Sequence, residues 1–255
     1  MTQPELHVVT GAFGYSGRHI AEHLLDAGKR VRTITGHPDK QHPLRDKIEA
    51  HPMDFTNPKS LVESLRGATT LYNTYWVRFA YGKTTHRVAV DNLKTLFRAA
   101  AEAGVERVVH TSITNPSADS PLPYFSGKAE VEEALIKSGL SYAILRPAVF
   151  FGGRDVLLNN IAYMLRRLPV FGIPGKGDYG IQPIHVEDMA ELAVRHGASR
   201  ENVVLDAVGP EAFGYRELVR LVALEIGKRR LILRLPRWFV LATARVVGWF
   251  VKDVL

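Results

Sequence analysis

Residues 8–21 read VVTGAFGYSGRHIA: β-branched residues, glycines at 11, 14 and 17, then a segment whose apolar residues recur at helical spacing. Each glycine has its own physical use at a strand-to-helix turn. Gly11 permits the tight turn, Gly14 lets the backbone approach a pyrophosphate, and Gly17 lets helix and strand pack closely. The helix N-terminus then offers free N–H groups and its positive dipole end to the phosphates. A glycine triplet alone suits a structural turn equally well. A strand before it, a helix after it and further βα units supply the context of a dinucleotide loop, with Phe13, Tyr15 and Ser16 as its other members.

Outward from this loop, strand-like runs alternate with helical patterns. LHVVTG leads to a helix over 16–28, then RVRTITG, a short helix in PLRDKI (43–48), EAHPMDF, a helix over 58–67 and TTLYNTYW. A long helix from about Arg87 to Ala103, RVVHTSI, a helix from about Ser126 to Ser138, and SYAILRPAVF complete six repeats. Gly28, Gly67, Gly104 and Gly139 each stand just past a helical pattern, as C-terminal stops do. Apolar strands separated by helices imply a doubly wound, mainly parallel sheet of Rossmann type with helices on both faces, whose ligands sit beyond the carboxyl ends of the strands. The expected division is a dinucleotide-binding core over 1–151. A loop- and helix-rich region over 152–255 adds the last sheet elements and a substrate pocket without being an independent domain. Phe151, Tyr163, Phe171 and Tyr179 suggest that this pocket is apolar.

Composition narrows the classes. The 255 residues, 46% of them apolar, suffice for an ordinary core, and the absence of cysteine excludes disulfide or thiolate chemistry. The formal charge of +7 is scattered over small groups such as GKRR (227–230), so a nucleic-acid partner is not expected. The first residues enter a strand pattern without a basic and then apolar segment, so a secretory leader is not expected and a cytoplasmic setting is. The last 19 residues, RWFVLATARVVGWFVKDVL, hold only 14 between Trp238 and Val251, against the ~20 of a spanning helix. Segment 237–255 reads as a helix packed in the protein or against a partner, or lying on a membrane surface.

The second strand ends in Thr35, Gly36 and His37, without the carboxylate that would hold a ribose 2′-hydroxyl. Arg18, His37 and Lys40 offer positive charge there, which favours NADP(H) over NAD(H). Asp54, after the third strand, either accepts from the adenine amino group or caps the following helix. Phe55, Thr74 and Tyr75 line the expected groove, while Tyr75 and Trp76 suit a core or a substrate pocket equally. His185 and Asp188 lack a partner set with ligand spacing, so no metal site is expected.

TGAFGYSG, MDF, VDN (90–92), VVHTS (108–112), YFSGK (124–128), LRPAVFFG (145–152) and IHVEDMA (184–190) follow one another in an order that resembles the extended and atypical short-chain dehydrogenase/reductases. More closely, the chain is similar to epimerase/dehydratase-like NAD(P)H-binding proteins, NmrA-like regulators and the accessory subunit of respiratory complex I. The resemblance implies that Tyr124 transfers a proton and that Lys128 binds the nicotinamide ribose and lowers the tyrosine pKa. It also implies that Ser112 polarises the substrate oxygen, although Ile113 interrupts the usual serine pair and leaves Thr114 as a substitute. Pro147 and Val149 are expected at the nicotinamide end, and Asn92 is expected to hold the fifth-strand backbone. The resemblance thus implies an oxidoreductase or epimerase-like enzyme acting on a small molecule. A non-catalytic dinucleotide-binding sensor or assembly factor is the alternative.

Overall fold

The computed structural model describes residues 4–236, so the 237–255 segment lies outside the described residues. The chain forms two compact units. The first comprises residues up to Gly152 together with Ile184–Val208; the second comprises 153–183 and the described residues from Gly209 onward.

The first unit begins with β1 (Leu6–Thr10), α1 (Tyr15–Asp26), β2 (Arg30–Thr35), β3 (Glu49–Pro52), α2 (Pro58–Leu65) and β4 (Ala68–Asn73). It continues with α3 (His86–Glu102), β5 (Arg107–Thr111), α4 (Pro123–Lys137), β6 (Ser141–Pro147) and β7 (Val149–Phe151). The second unit starts with α5 (Leu157–Arg167), β8 (Val170–Pro174) and β9 (Gly180–Ile181). The chain then runs through β10 (Pro183–His185), α6 (Val186–Ala198) and β11 (Val203–Ala207). It finishes with β12 (Phe213–Gly214), α7 (Tyr215–Glu225) and β13 (Leu231–Leu235) in the second unit.

Seven strands form one parallel sheet in the order β11-β6-β5-β4-β1-β2-β3. After β3 the chain crosses to β4 on the other side of β1, so the order reverses between β1 and β4, where such sheets open a ligand crevice. Both faces are covered. Val8, Leu71, Leu93, Leu96 and Val108 belong to the core on one face, and Val9, Ile20, Leu24, Tyr72 and Val109 to that on the other. The four predicted stops, Gly28, Gly67, Gly104 and Gly139, have φ of 71°, 78°, 76° and 79°.

One predicted helix is absent. Residues 43–47 form turns in which Arg45 N bonds His42 O (2.8 Å) and Ile48 N bonds Leu44 O (3.2 Å). Buried Leu44 and Ile48 anchor the segment, which is too short to propagate a helix.

In the second unit β8 pairs with β13 in parallel and β9 with β12 antiparallel, while α5 packs on α7. Phe171, read as a pocket aromatic, is instead a core residue there beside Ile161, Leu165 and Val219, because β8 alternates and turns it inward. Tyr163 is exposed with Arg167 over its ring, and Tyr179 stacks on Tyr215. Among the described residues, no helix is long and apolar enough to cross a membrane.

Candidate functional site

The glycine loop leaves β1 at the reversal of strand order. Gly11, at φ 66°, donates to Ile34 O (2.9 Å), and Gly14 N donates to Gly11 O (2.8 Å). A Cβ on Gly17 would lie 2.4 Å from Gly11 O, so only hydrogen allows the approach of α1 to the loop. No side chain caps α1 and no acidic residue stands in its first turn. The start of α1, around Ser16 and Gly17, therefore directs helix-end N–H groups to where an anion would lie. Phe13 is buried against the His42 ring, so its backbone rather than its side chain faces the loop. Tyr15 ties α1 to the end of β7 by donating to Gly152 O (2.7 Å).

Thr35, Gly36 and His37 end β2, and residues 36–40 line a surface hollow. Lys40 Nζ donates to Phe13 O (3.0 Å), which brings an ammonium to the glycine loop. Asp54 accepts from Thr56 N (2.9 Å) and Thr56 Oγ1 (2.6 Å), bonds that hold its carboxyl below the usual range. The cap of α2 is Asn57, whose side chain accepts from Ser60 N, not Asp54. Thr74 Oγ1 donates to Thr10 O (2.6 Å) beside Gly11, and Phe55 packs on the Tyr75 ring. Asn92 donates to Tyr75 Oη (2.8 Å) rather than to the fifth strand, which corrects the role read for it, because Tyr75 leaves the end of β4 toward α3.

Tyr124 lies in the first turn of α4 and Lys128 one turn on, on the same face. Lys128 is 2% exposed, with Nζ 2.9 Å from Thr111 O and 4.4 Å from the centre of the Trp76 ring. Burial drives its pKa down to about 7, although Glu132 pulls upward. Tyr124 is half-buried within a cage in which Trp76 and His86 stack on each other and its own ring stands nearly perpendicular to both. Trp76 Nε1 and His86 Nδ1 are buried and, among the described residues, without hydrogen-bond partners. Burial pushes the Tyr124 phenol above its ordinary value, against the pull of Arg78. This is opposite to the shift implied by the resemblance, since desolvation outweighs the Arg78 charge.

Ser112 is engaged by neighbouring side chains. Its hydroxyl donates to Glu132, which also accepts from Arg146 Nε (3.1 Å) and Nη2 (2.5 Å). Its one proton is thus committed within a buried network, and among the described residues no hydrogen bond joins Tyr124 to Lys128 or Ser112. Thr114 N bonds Pro147 O (3.0 Å), and Val149 is half-buried in β7. Beneath the site, Asn73 links Thr10 to His110, whose imidazole is held well below its ordinary value by burial and by the Lys128 charge. His185 is the N-cap of α6, its Nδ1 accepting from Glu187 N. Glu132 was missed by sequence reading, yet it continues the four-residue spacing Tyr124, Lys128, Glu132.

The sheet reversal, the uncapped helix and the buried lysine converge on one carboxyl edge. The family model for NAD(P)H-binding proteins matches residues 11–158, from the first loop glycine past Tyr124 and Lys128. The chain belongs to the NAD(P)H-binding family. It is 26% identical over 256 residues to the 40 kDa subunit of mitochondrial NADH-ubiquinone oxidoreductase from Neurospora crassa, a match covering 94% of this chain and 65% of that one. A photosystem II assembly factor of Cyanidium caldarium is 26% identical over 247 residues, 95% of this chain and 78% of its own. The ceramide reductase of Caulobacter vibrioides is 27% identical over 249 residues, 94% of this chain and 77% of its own. In fold, MoeE5 in complex with UDP-glucose and NAD superposes with a TM-score of 0.74 at 22% identity, over 90% of this chain and 85% of that one. The residues of this NAD(P)H-binding protein fit such a group. Gly17 lets α1 start close to Gly11, which leaves its uncapped N-terminus where a pyrophosphate would lie, and Lys128 puts a buried amine at the same carboxyl edge.

Proposed function

We propose that the protein is an NAD(P)H-dependent oxidoreductase of short-chain dehydrogenase/reductase type, using NADPH in preference to NADH and acting on the carbonyl or alcohol of an apolar small molecule. The supporting observation is the buried Lys128 ammonium one helical turn from a half-buried Tyr124, at the strand edge that carries the glycine loop. The bound nicotinamide supplies or accepts the hydride. Lys128 holds the ribose hydroxyls with N–H groups now directed at Thr111 O and the Trp76 face. The Tyr124 hydroxyl, protonated at neutral pH, delivers a proton to the substrate oxygen in the reductive direction and recovers it in the oxidative one. Lys128 stabilises the phenolate left behind. Glu132 and Arg146 brace this arrangement through Ser112. The preference for NADPH rests on the absence of a carboxylate at Thr35–Gly36–His37 and on the placement of Lys40.

The ceramide reductase relative supports chemistry on an apolar substrate. A second reading, a non-catalytic dinucleotide-binding assembly factor in contact with a membrane-bound partner through 237–255, is favoured by the respiratory subunit and the photosystem assembly factor. Oxidation of NADPH against a panel of long-chain ketones and aldehydes separates the two. Substrate-dependent oxidation that falls about 100-fold or more in Tyr124→Phe, with NADPH affinity retained, supports the enzyme. Tight NADPH binding with no substrate-dependent oxidation supports the second reading, and equal turnover in both proteins removes Tyr124 from the chemistry.

A further inference from the structure

At the amino-terminal edge of the first unit's sheet, four adjacent strands carry a polar row. The parallel register aligns His7 of β1 with Thr70 of β4, Thr70 with Arg107 of β5, and Arg107 with Ser141 of β6. Two residues further along, the aligned row is Val9, Tyr72, Val109 and Ala143, all buried in the core beneath α1 and α6. Positions two apart on a strand share a face, so the polar row faces the same two helices. A cavity of about 630 Å³ opens there, lined in part by His7, Thr70, Tyr72, Arg107, Ser141 and Gly197. This is within the range of ~300–1,000 Å³ typical of small-molecule sites. Gly197 of α6 shapes it, since a Cβ there would fall 2.0 Å from the Tyr72 hydroxyl.

Two buried groups in this cavity lack the partners that burial demands. His7 is 5% exposed, and among the described residues neither ring nitrogen has a hydrogen-bond partner. Its nearest carboxylate, Glu5, stands 3.7 Å from Nε2 and is engaged by Lys29 at 2.5 Å. Burial and the Lys29 charge hold the imidazole below its ordinary value, so at neutral pH it has one N–H to donate and one bare nitrogen to accept. Arg107, 4% exposed, donates from Nε to His196 O (2.6 Å), from Nη1 to Ser141 Oγ (2.6 Å) and from Nη2 to Glu201 O (2.7 Å). These bonds secure the end of α6, but among the described residues no carboxylate pairs with its charge. Capping a helix explains the three bonds; it explains neither the uncompensated guanidinium nor the bare imidazole.

We propose that this cavity binds a small anion bearing a hydroxyl group, with its anionic oxygens on Arg107 and its hydroxyl on His7. Hydroxy acids and phosphate monoesters share that chemistry. The site lies at the sheet edge opposite the dinucleotide loop, so both ligands bind at once.

The test uses the full-length protein labelled at histidine nitrogen, with the His7 imidazole signals identified by their loss in His7→Phe. Lactate, glycerol 3-phosphate and inorganic phosphate are the probes, each added with and without saturating NADPH. The expected result is a saturable shift of the His7 signals by lactate or by glycerol 3-phosphate, at least as strong as that by phosphate alone and unchanged by NADPH. The more potent of the two identifies the anion as carboxylate or phosphate. Ala198→Trp, a substitution at an exposed residue of the cavity wall, is expected to weaken the shift about tenfold or more, as loss of a charge-assisted hydrogen bond does. Absence of a saturable shift with every probe, an unchanged shift in Ala198→Trp, or competition by NADPH overturns the proposal.

Discussion

Replacing Gly17 by alanine tests the cofactor cradle through the sign of its effect. In an unobstructed helix the substitution stabilises by about 0.5–1 kcal/mol, because glycine loses more freedom on folding. Here the new Cβ would stand 2.4 Å from Gly11 O, 2.9 Å from Gly11 C and 3.1 Å from Thr10 O, whereas ordinary contact begins at 3.4 Å. All three are backbone atoms, and the bonds from Gly11 N to Ile34 O and from Gly14 N to Gly11 O fix the loop. The helix must therefore move by about 1 Å, at an overpacking cost of about 1–3 kcal/mol. The net loss is about 0.5–2 kcal/mol, or a fall in Tm of roughly 1–8 °C for a chain of this size. The same displacement withdraws the α1 N–H groups from a pyrophosphate, so NADPH affinity, followed by nicotinamide fluorescence, falls about tenfold or more. Gly180→Ala is the control, since a Cβ there meets nothing within 4 Å and the residue lies outside the proposed cofactor site. A Gly17→Ala protein that melts at or above wild type and binds NADPH undiminished refutes the reasoning.

Lys128→Met should stabilise the protein more at pH 6 than at pH 9. With its folded pKa down to about 7, below the unfolded value, the buried lysine costs most when charged, and stability rises as pH climbs from 7 toward 10. The slope from this group is ~1.4 kcal/mol per pH unit, absent in the variant and measurable by urea unfolding across that range. Glu132→Gln leaves Arg146 without its carboxylate and frees the Ser112 hydroxyl, at a cost of about 3 kcal/mol in the same assay. A loss under 1 kcal/mol shows that the network carries little of the fold.

The glycine loop, the helix stops and the parallel sheet were legible because each is written locally, in turn chemistry and in the spacing of apolar residues. Contacts between distant segments were not. Ser112 reads as a free strand-end hydroxyl until α4 brings Glu132 to it and β6 brings Arg146. Asn92 finds Tyr75 by the path of the chain after β4, which no spacing encodes. Phe171 looks like any loop aromatic until β8 turns it into the second core. The row from His7 to Ser141 likewise appears only once register aligns four strands that are distant in sequence. The sign of the Tyr124 shift depends on burial beneath Trp76 and His86, a tertiary fact.

Calorimetric titration of the full-length protein with NADPH, beside Lys128→Met, tests most directly whether this carboxyl edge holds the cofactor with the nicotinamide ribose on Lys128. The account predicts saturable binding at one site per chain and about tenfold or greater weakening in the variant. Equal affinity in the two proteins, or no saturable heat with NADPH or NADH, would contradict it.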